Sequence, residues 1–263
     1  MKIDVLDHGF VRLVESWGGG DFEQLDNEYN VRVKDNECGI IEAARQSTQG
    51  SFRGWEKDER LLKYLFENKH STPFEFSGMT IEVKAPLFVF REWHRHRTQS
   101  YNEMSARYAP LPNENYMPTV DRLMGFPESG VQPLHVRRNS QENFDLPKEN
   151  KQAGSVKGSK ELTEIAAKEF QQELAGYYKD FENSYQAALG NGVPKELARC
   201  GMPVGRYSQM RATTNLRNWL GFLTLRMSPH AQWEIRQFAN AVAKIIEQEF
   251  PRTYSLYAEN KDG

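Results

Sequence analysis

Residues 79–96 read MTIEVKAPLFVFREWHRH, and the pattern changes within this stretch from strand-like to helix-like. Apolar and polar side chains alternate from Met79 to Ala85, which is typical of a strand with one buried face. Pro86 suits the first turn of a helix, because the N–H that proline lacks is not needed there. The sequence therefore predicts a strand over 79–85, followed directly by a helix from Leu87 to His96.

Further helices are predicted on both sides of this stretch, where apolar residues recur with helical spacing. They cover 40–45, 56–68, 161–189, 194–199, 216–227 and a last helix that starts at 228–229 and continues through 246. A second strand is predicted at 204–213. Residues 112–158 are rich in proline, glycine and asparagine and predict a long surface excursion with little regular structure. Because we find no internal repeat and no linker, we expect one α+β domain over residues 1–263.

The composition excludes several classes of protein. With 263 residues, 38% hydrophobic and 27% charged, the chain is expected to be globular, not disordered. A net charge of -2 and a pI near 6.3 argue against a general nucleic-acid or membrane-surface binder. We find no signal peptide and no apolar run near the ~20 residues that span a bilayer. The two cysteines, Cys38 and Cys200, form no metal-binding or redox pair, so we expect a cytoplasmic protein.

Residues 95–108, RHRTQSYNEMSARY, concentrate the polar chemistry of the chain. They contain three arginines, a histidine and a carboxylate, which would all need partners in a hydrophobic core. The planar fork of arginine holds phosphate in a bidentate way that lysine cannot match. Serine, asparagine and glutamate side chains can meet the edges of a base or an isoalloxazine ring. The segment therefore predicts a pocket for an anionic, hydrogen-bonding ligand.

Two other functions of this basic segment are less favoured. His94 and His96 form a His-x-His pair, but no third ligand lies at suggestive spacing and the neighbouring arginines would repel a cation, so we predict no metal site. A polynucleotide could also contact the basic run. A single basic cluster in a slightly acidic chain is more often a solvated face or a small-anion site, so we expect no nucleic-acid partner.

The motif Arg95-His96-Arg97, followed after seven residues by Ser105, resembles the signature of the flavin-dependent thymidylate synthases. The similarity continues in further regions that stand in the order expected for that family. These are HSTPFE (70–75), KAP (84–86), VPKELAR (193–199), NLR (215–217) and LRMSPHAQWEI (225–235). The resemblance covers nearly all of the chain except the N-terminal glycine-containing loop and residues 112–158.

The resemblance implies a defined reaction and assembly. The reaction is the reductive methylation of dUMP to dTMP, with bound FAD, NADPH as reductant and the folate 5,10-methylenetetrahydrofolate as carbon donor. The implied fold is a central, mostly antiparallel sheet packed with long helices, in a homotetramer whose active sites are shared between subunits. Because the reduced flavin supplies the hydride, no protein thiol is required, which agrees with the lack of a convincing catalytic cysteine.

The resemblance also implies site residues. The FAD-binding residues are expected to be His70, Thr72, Arg95, His96, Arg97, Glu103, Asn215, Arg217 and Gly221. The dUMP-binding residues are expected to be Glu92, Arg95, Glu103, Met104, Ser105, Ala106, Arg107, Arg199 and Arg226. Two positions depart from the family pattern, because Glu92 stands where glutamine is often found and Gly221 where a larger side chain often contacts FAD. A carboxylate beside a dianionic nucleotide is unfavourable unless Arg91, Arg95 or a proton balances it.

Arg226 and Ser105 are the candidate catalytic residues. Uracil C6 must accept a hydride before C5 attacks a one-carbon unit, so a guanidinium near the N3–C4=O edge would stabilise the negative charge that develops. Taken alone, Arg226 would more often be a salt-bridge partner within a helix. Ser105 has no clear activating base, so we prefer a hydrogen bond to the nucleotide over nucleophilic attack. Two alternatives stay open: a flavoprotein that acts on another pyrimidine, and a non-catalytic nucleotide- or nucleic-acid-binding protein.

Overall fold

The structure is a computed structural model that describes residues 1–19, 24–25, 32–33, 35–124 and 162–260. Its strands are β1 (Lys2–Val5), β2 (Gly9–Trp17), β3 (Gln24–Leu25), β4 (Arg32–Val33), β5 (Gly78–Pro86), β6 (Ser100–Glu103) and β7 (Tyr207–Asn215). Five of them form one antiparallel sheet in the order β1-β2-β5-β7-β6, and β3 pairs with β4 separately. The predicted α+β class and antiparallel sheet are confirmed.

Helices surround this sheet. They are α1 (Cys38–Arg45), α2 (Trp55–Glu67), α3 (Leu87–Trp93), α4 (Val120–Leu123), α5 (Glu164–Gly190), α6 (Lys195–Ala198), α7 (Leu216–Arg226), α8 (Trp233–Glu249) and α9 (Pro251–Glu259). Short 3-10 turns follow α1, precede β5 at Thr72–Glu75 and follow α6 at Arg199–Gly201. Within the described residues, no helix is both long and apolar enough to cross a membrane.

The central strand β5 carries the pattern that the sequence showed. Ile81 and Val83 are fully buried, whereas Thr80 and Lys84 on the other face are only partly buried. The buried face packs against α7 and α8, where Trp219 is also fully buried and donates its indole N–H to the carbonyl of Met79 at 3.1 Å. The alternation therefore sets which face of the sheet forms the core.

The helix that follows β5 ends earlier than predicted. α3 stops at Trp93, and the chain then turns tightly, because His96 N donates to the carbonyl of Trp93 at 3.0 Å. The Tyr101 hydroxyl donates to the carbonyls of Trp93 and His96 at 3.1 and 2.8 Å, and the Trp93 indole donates to Gln99 at 3.0 Å. These contacts satisfy polar groups at the helix end, so Arg95 lies in a turn and not in a helix.

Residues 204–206 connect to α3 instead of starting the predicted strand. The carbonyls of Val204 and Arg206 accept hydrogen bonds of 3.0 Å from Phe88 N and Leu87 N. These are N–H groups of the first turn of α3, which have no partner within their own helix. The strand therefore starts later than predicted, at Tyr207, and extends to Asn215.

The first part of the predicted excursion packs against the domain. The carbonyl of Pro112 accepts from the buried Arg206 at 2.9 Å, the ring of Tyr116 is buried, and α4 lies at 120–123. Residues up to Met124 are thus more regular than the sequence indicated. The rest of the predicted excursion, from 125 to 158, lies outside the described residues.

Candidate active site

Arg226, at the end of α7, joins two residues of the α3 segment. Its Nε donates to Nε2 of His96 at 2.9 Å, its Nη1 to Oε2 of Glu92 at 2.8 Å, and its Nη2 to the backbone carbonyl of Glu92 at 2.9 Å. The rings of Trp93 and Phe222 stack at 4.6 Å between the two helices. Arg226 therefore forms a salt bridge between helices, and Glu92 is balanced by Arg226 and not by Arg91 or Arg95.

The electrostatics of this group fix its protonation. Burial, together with the positive charge of Arg226, lowers the pKa of His96 from 6.5 to about 4. His96 is therefore neutral at pH 7, which agrees with Nε2 accepting a hydrogen bond. Burial raises the pKa of Glu92, the charge of Arg226 opposes that rise, and the charge of Glu234 adds to it. The ionised carboxylate thus depends on Arg226 as its counter-ion.

A second group lies at the start of α7. Arg217 donates to Glu75, which lies in the same 3-10 turn as Thr72. The Asn215 side chain caps α7 by accepting a hydrogen bond from Asn218 N at 3.0 Å. The side chains of Thr72 and Arg217 are exposed. An exposed guanidinium, a hydroxyl and a helix N-terminus together form a donor set that suits an anionic ligand.

Thr98, the residue after the Arg95-His96-Arg97 motif, contacts the strand end next to the second group. The Thr214 hydroxyl donates to the carbonyl of Thr98 at 2.8 Å and accepts from the Asn218 amide at 3.2 Å. Arg97 directly precedes Thr98 and is exposed. The segment from Glu92 to Thr98 therefore makes contacts near both ends of α7.

Three further predicted residues lie on the surface. His70 is exposed and its ring stacks on that of Tyr64 at 5.7 Å. Arg95 is exposed in the turn after α3. Gly221 is exposed on α7, and a Cβ added there would meet no atom within 4 Å among the described residues. A larger side chain would therefore fit at position 221. Because the residue is glycine, the surface of α7 is open at this position.

A third group follows β6. Glu103 pairs with Met210 of β7, and Met104 N donates to the carbonyl of Gln209 at 2.8 Å. The next residues form a turn in which Arg107, through its backbone N–H and its Nε, donates to the Ser105 hydroxyl at 3.4 Å. Ala106 is buried within this turn, while Met104 and Arg107 are exposed.

The segment that carries Arg199 contacts this turn. Lys195 Nζ donates to the carbonyl of Tyr108 at 3.0 Å, and Arg199 opens the 3-10 turn directly after α6. Arg199 is partly buried, and its Nε donates to the carbonyl of Glu196 at 3.4 Å. The contact brings two stretches that are distant in sequence, and both expected to bind dUMP, to the same end of the sheet.

The strand register separates the third group from the second. Ser100 pairs with Thr213, near the start of α7, whereas Glu103 pairs with Met210. From Asn215 to Met210, β7 advances by roughly 17 Å at the usual rise per residue. Within one chain, the second and third groups therefore lie apart along β7.

Both histidines of the His-x-His pair contact side chains of the same chain. His96 Nε2 accepts from Arg226, and the His94 ring packs edge-on against Tyr101 at 4.9 Å. In the part of the chain that the structure describes, no cluster of three or more His, Cys, Asp or Glu side chains could hold a metal ion.

A cleft of about 370 Å³ is lined by residues that belong to none of the three groups. Its walls include Tyr116, Phe170 and Tyr178, and its polar side holds Glu234, which accepts from Arg122 at 2.8 Å and from the Tyr116 hydroxyl at 3.1 Å. The charge of Glu234 acts on Glu92, but its hydrogen bonds are satisfied within the chain.

Sequence reasoning missed some residues of these groups. The pairing of Glu92 with Arg226 spans 134 positions, which no local pattern could reveal. Lys195 lies in a stretch that the resemblance included, but nothing in the sequence indicated that it contacts Tyr108. Glu75, the partner of Arg217, is the last residue of the HSTPFE motif at 70–75. Its place in that motif was the sequence feature that could have identified it as a site residue.

Comparisons with known proteins place this chain in a family. The family described as "Thymidylate synthase complementing protein" matches residues 30–252. The flavin-dependent thymidylate synthase of Thermotoga neapolitana is 34% identical over 257 residues, covering 98% of this chain and 94% of that protein. Those of Thermosipho melanesiensis and Thermus thermophilus are 36% and 34% identical over 260 residues, covering 98% and 99% of this chain and 93% and 79% of the relatives.

Solved structures give a similar result. The UMP/dUMP methylase PolB of Streptomyces cacaoi, bound with 5-Br UMP, superposes with a TM-score of 0.71 at 27% identity. The alignment covers 98% of this chain and 96% of that one. The same methylase bound with 5-Br dUMP gives a TM-score of 0.72 at 26% identity, covering 98% and 97% of the two chains.

Proposed function

This chain belongs to the flavin-dependent thymidylate synthase family, and we propose that Arg226 is the residue that activates dUMP for its conversion to dTMP. The relatives confirm the predicted family, the thymidylate synthase activity and the dependence on a flavin. The observation that supports the role of Arg226 is its fixed guanidinium, held by Glu92 and His96 through three hydrogen bonds.

The geometry leaves part of the guanidinium for a ligand. Arginine has five N–H groups, of which three make the bonds to His96 and Glu92, so among the described residues one N–H remains on Nη1 and one on Nη2. In the proposed complex, the guanidinium donates from this remaining capacity to the C4 oxygen of uracil. Negative charge develops on the ring when C6 receives a hydride, so fixed donors stabilise the transition state more than the substrate.

The second group is the proposed FAD site. FAD, reduced by NADPH, supplies the hydride for uracil C6. Arg97 and Arg217 would bind its pyrophosphate, which needs planar cationic donors, and the Thr72 hydroxyl would donate to it from the adjacent turn. Arg95, His96, Asn215, His70 and Gly221 complete the proposed contacts along the same surface. The exposed, cation-rich donor set of this group fits such a cofactor.

The third group is the proposed site for the phosphate and sugar of dUMP. Arg107 and Arg199 would bind the phosphate, the Ser105 hydroxyl would donate to it, and Met104, Ala106 and Glu103 would shape the wall around it. Because the register of β6 on β7 holds this group apart from the proposed FAD group at the start of α7, we propose that a second subunit supplies it. Each active site would then be shared between subunits.

The surface of α5 supports association. Among its side chains Ile165 is 72% exposed, Phe170 45% and Tyr177 67%. Large apolar side chains that are exposed in a single chain can be covered by a second copy in an assembly. We propose a homotetramer with shared sites, and sedimentation that finds only monomer under active conditions would contradict it.

The activity is tested by following dTMP formation from dUMP, 5,10-methylenetetrahydrofolate and NADPH, with and without added FAD. We expect product that requires both the folate and the flavin. A folded, FAD-loaded protein that oxidises NADPH without forming dTMP would point to a flavoprotein acting on another pyrimidine. A protein that retains no flavin, and whose nucleic-acid binding falls steeply with salt, would point to the non-catalytic alternative.

A further inference from the structure

We propose that Glu92 is a positioning residue that holds the Arg226 guanidinium for catalysis and does not itself contact the nucleotide. This inference rests on the proposed function of Arg226. Glu92 reaches the guanidinium through two different atoms, its carboxylate Oε2 at 2.8 Å and its backbone carbonyl at 2.9 Å. The two bonds run to different Nη atoms, so together they fix the plane of the guanidinium.

The third bond removes the remaining rotational freedom. Nε of Arg226 donates to Nε2 of His96 at 2.9 Å. The His96 ring itself packs edge-on against the ring of Phe222, with the ring centroids 4.9 Å apart. Phe222 is fully buried on α7, one turn before Arg226. Glu92 and His96 therefore hold all three nitrogens of the guanidinium, so its position is fixed before any ligand arrives.

Charge explains why Glu92 serves Arg226 better than it would serve dUMP. An ionised carboxylate repels a dianionic nucleotide, and the neighbouring Glu234 of α8 adds to the negative potential at Glu92. Arg226 is the cation that offsets both effects. Because His96 is neutral, its hydrogen bond orients the guanidinium and does not offset the positive charge of Arg226 any further.

The two possible roles of Glu92 predict different kinetics. A contact to the nucleotide contributes to binding, so its loss raises KM for dUMP. A positioning residue acts only through Arg226, so its loss lowers kcat and has no effect when Arg226 is already absent. Glu92→Gln retains an oxygen acceptor on a side chain of the same length. Glu92→Asp shortens the side chain by one methylene, which moves the acceptor away from Arg226.

The test measures kcat, and KM for dUMP, in Glu92→Ala, Glu92→Asp, Glu92→Gln, Arg226→Ala and the Glu92→Ala/Arg226→Ala double variant. We expect Glu92→Ala and Glu92→Asp to lower kcat about 10-fold to 100-fold, a typical effect of a misplaced catalytic group, with KM changed less than about threefold. Glu92→Gln should stay within about threefold of wild type. The double variant should be no slower than Arg226→Ala alone.

A matched control is Glu67→Ala, which removes the exposed carboxylate of an ion pair to Lys63 at 3.7 Å and should leave kcat and KM unchanged. FAD content and melting temperature identify any variant that fails to fold, and in that case the Asp and Gln variants still decide the matter. The proposal is overturned if the loss appears mainly in KM, if Glu92→Gln is as impaired as Glu92→Asp, or if the double variant shows an added loss. A wild-type protein without activity would instead overturn the proposed function.

Discussion

Nε of Arg226 donates a 2.9 Å hydrogen bond to Nε2 of His96, so the arginine proposed to activate dUMP is joined directly to the central residue of the Arg95-His96-Arg97 motif. The resemblance to the flavin-dependent thymidylate synthases assigns this motif to FAD. The bond therefore connects the proposed cofactor surface with the proposed catalytic arginine. A displaced His96 side chain would disturb both.

His96 makes stability depend on pH in a defined window. Its pKa is about 4 in the folded protein and 6.5 when unperturbed, so between these values the unfolded state binds more protons than the folded state. Its contribution to stability is therefore complete above about pH 6.5 and falls as the pH is lowered towards 4. We expect the melting temperature of FAD-free protein to fall less between pH 7 and 5 in His96→Gln than in wild type.

The control for this measurement is His8→Gln, which changes an exposed histidine of the loop between β1 and β2. It should retain the slope of the wild type. Equal slopes in wild type and His96→Gln would show that His96 is not buried in its neutral form.

Glu37 should be a strong determinant of stability. Its carboxylate is fully buried and accepts from Thr253 N at 2.6 Å and from Arg252 N at 3.2 Å, in the first turn of α9. These N–H groups have no partner within the helix, so Glu37 acts as its cap from a distant part of the chain. Glu37→Ala leaves them buried without an acceptor, which should lower the free energy of unfolding by about 2–4 kcal/mol.

Urea unfolding measures this loss, with the slope m expected to stay unchanged. Glu59→Ala, at an exposed position of α2, is the matched control and should change the free energy of unfolding by less than about 0.5 kcal/mol. A Glu37→Ala protein as stable as this control would contradict the capping role.

Arg217 should affect cofactor binding more than stability. Its side chain is 52% exposed and its partner Glu75 is also accessible, so the ion pair should contribute less than about 1 kcal/mol to folding. A charge-assisted hydrogen bond to pyrophosphate is stronger, so Arg217→Ala should raise the Kd for FAD about 10-fold to 100-fold.

Titration of FAD against intrinsic fluorescence gives this Kd. Arg60→Ala, which changes an exposed arginine of α2 outside the three groups, is the control and should retain the Kd of wild type. Unchanged affinity in Arg217→Ala would remove Arg217 from the proposed FAD site.

The fold was predictable where its pattern is local. The alternation from Met79 to Ala85 and the position of Pro86 identified β5 and the start of α3 without other information. β1 and β2 were not predicted, and one reason is a register shift between Leu13 and Glu15 that interrupts the alternation of β2. The end of α3 depends on contacts from Gln99 and Tyr101, which no helical periodicity contains.

The site was predictable as a set of residues but not as an arrangement. The motifs identified Glu92, His96 and Arg226, yet only folding brings residues 92 and 226 together. The register of β6 on β7 holds the turn with Ser105 and Arg107 apart from the start of α7. The proposed sharing of the site with a second subunit cannot be read from residue spacing within one chain.

The most direct test of Arg226 compares dTMP formation by wild type, Arg226→Ala and the control Arg60→Ala under saturating dUMP, 5,10-methylenetetrahydrofolate, NADPH and FAD. We predict flavin-dependent product from wild type and the control, and a loss of about 100-fold or more in kcat for Arg226→Ala with its FAD retained. An Arg226→Ala protein that forms dTMP within about threefold of the wild-type rate would contradict the central role of this guanidinium.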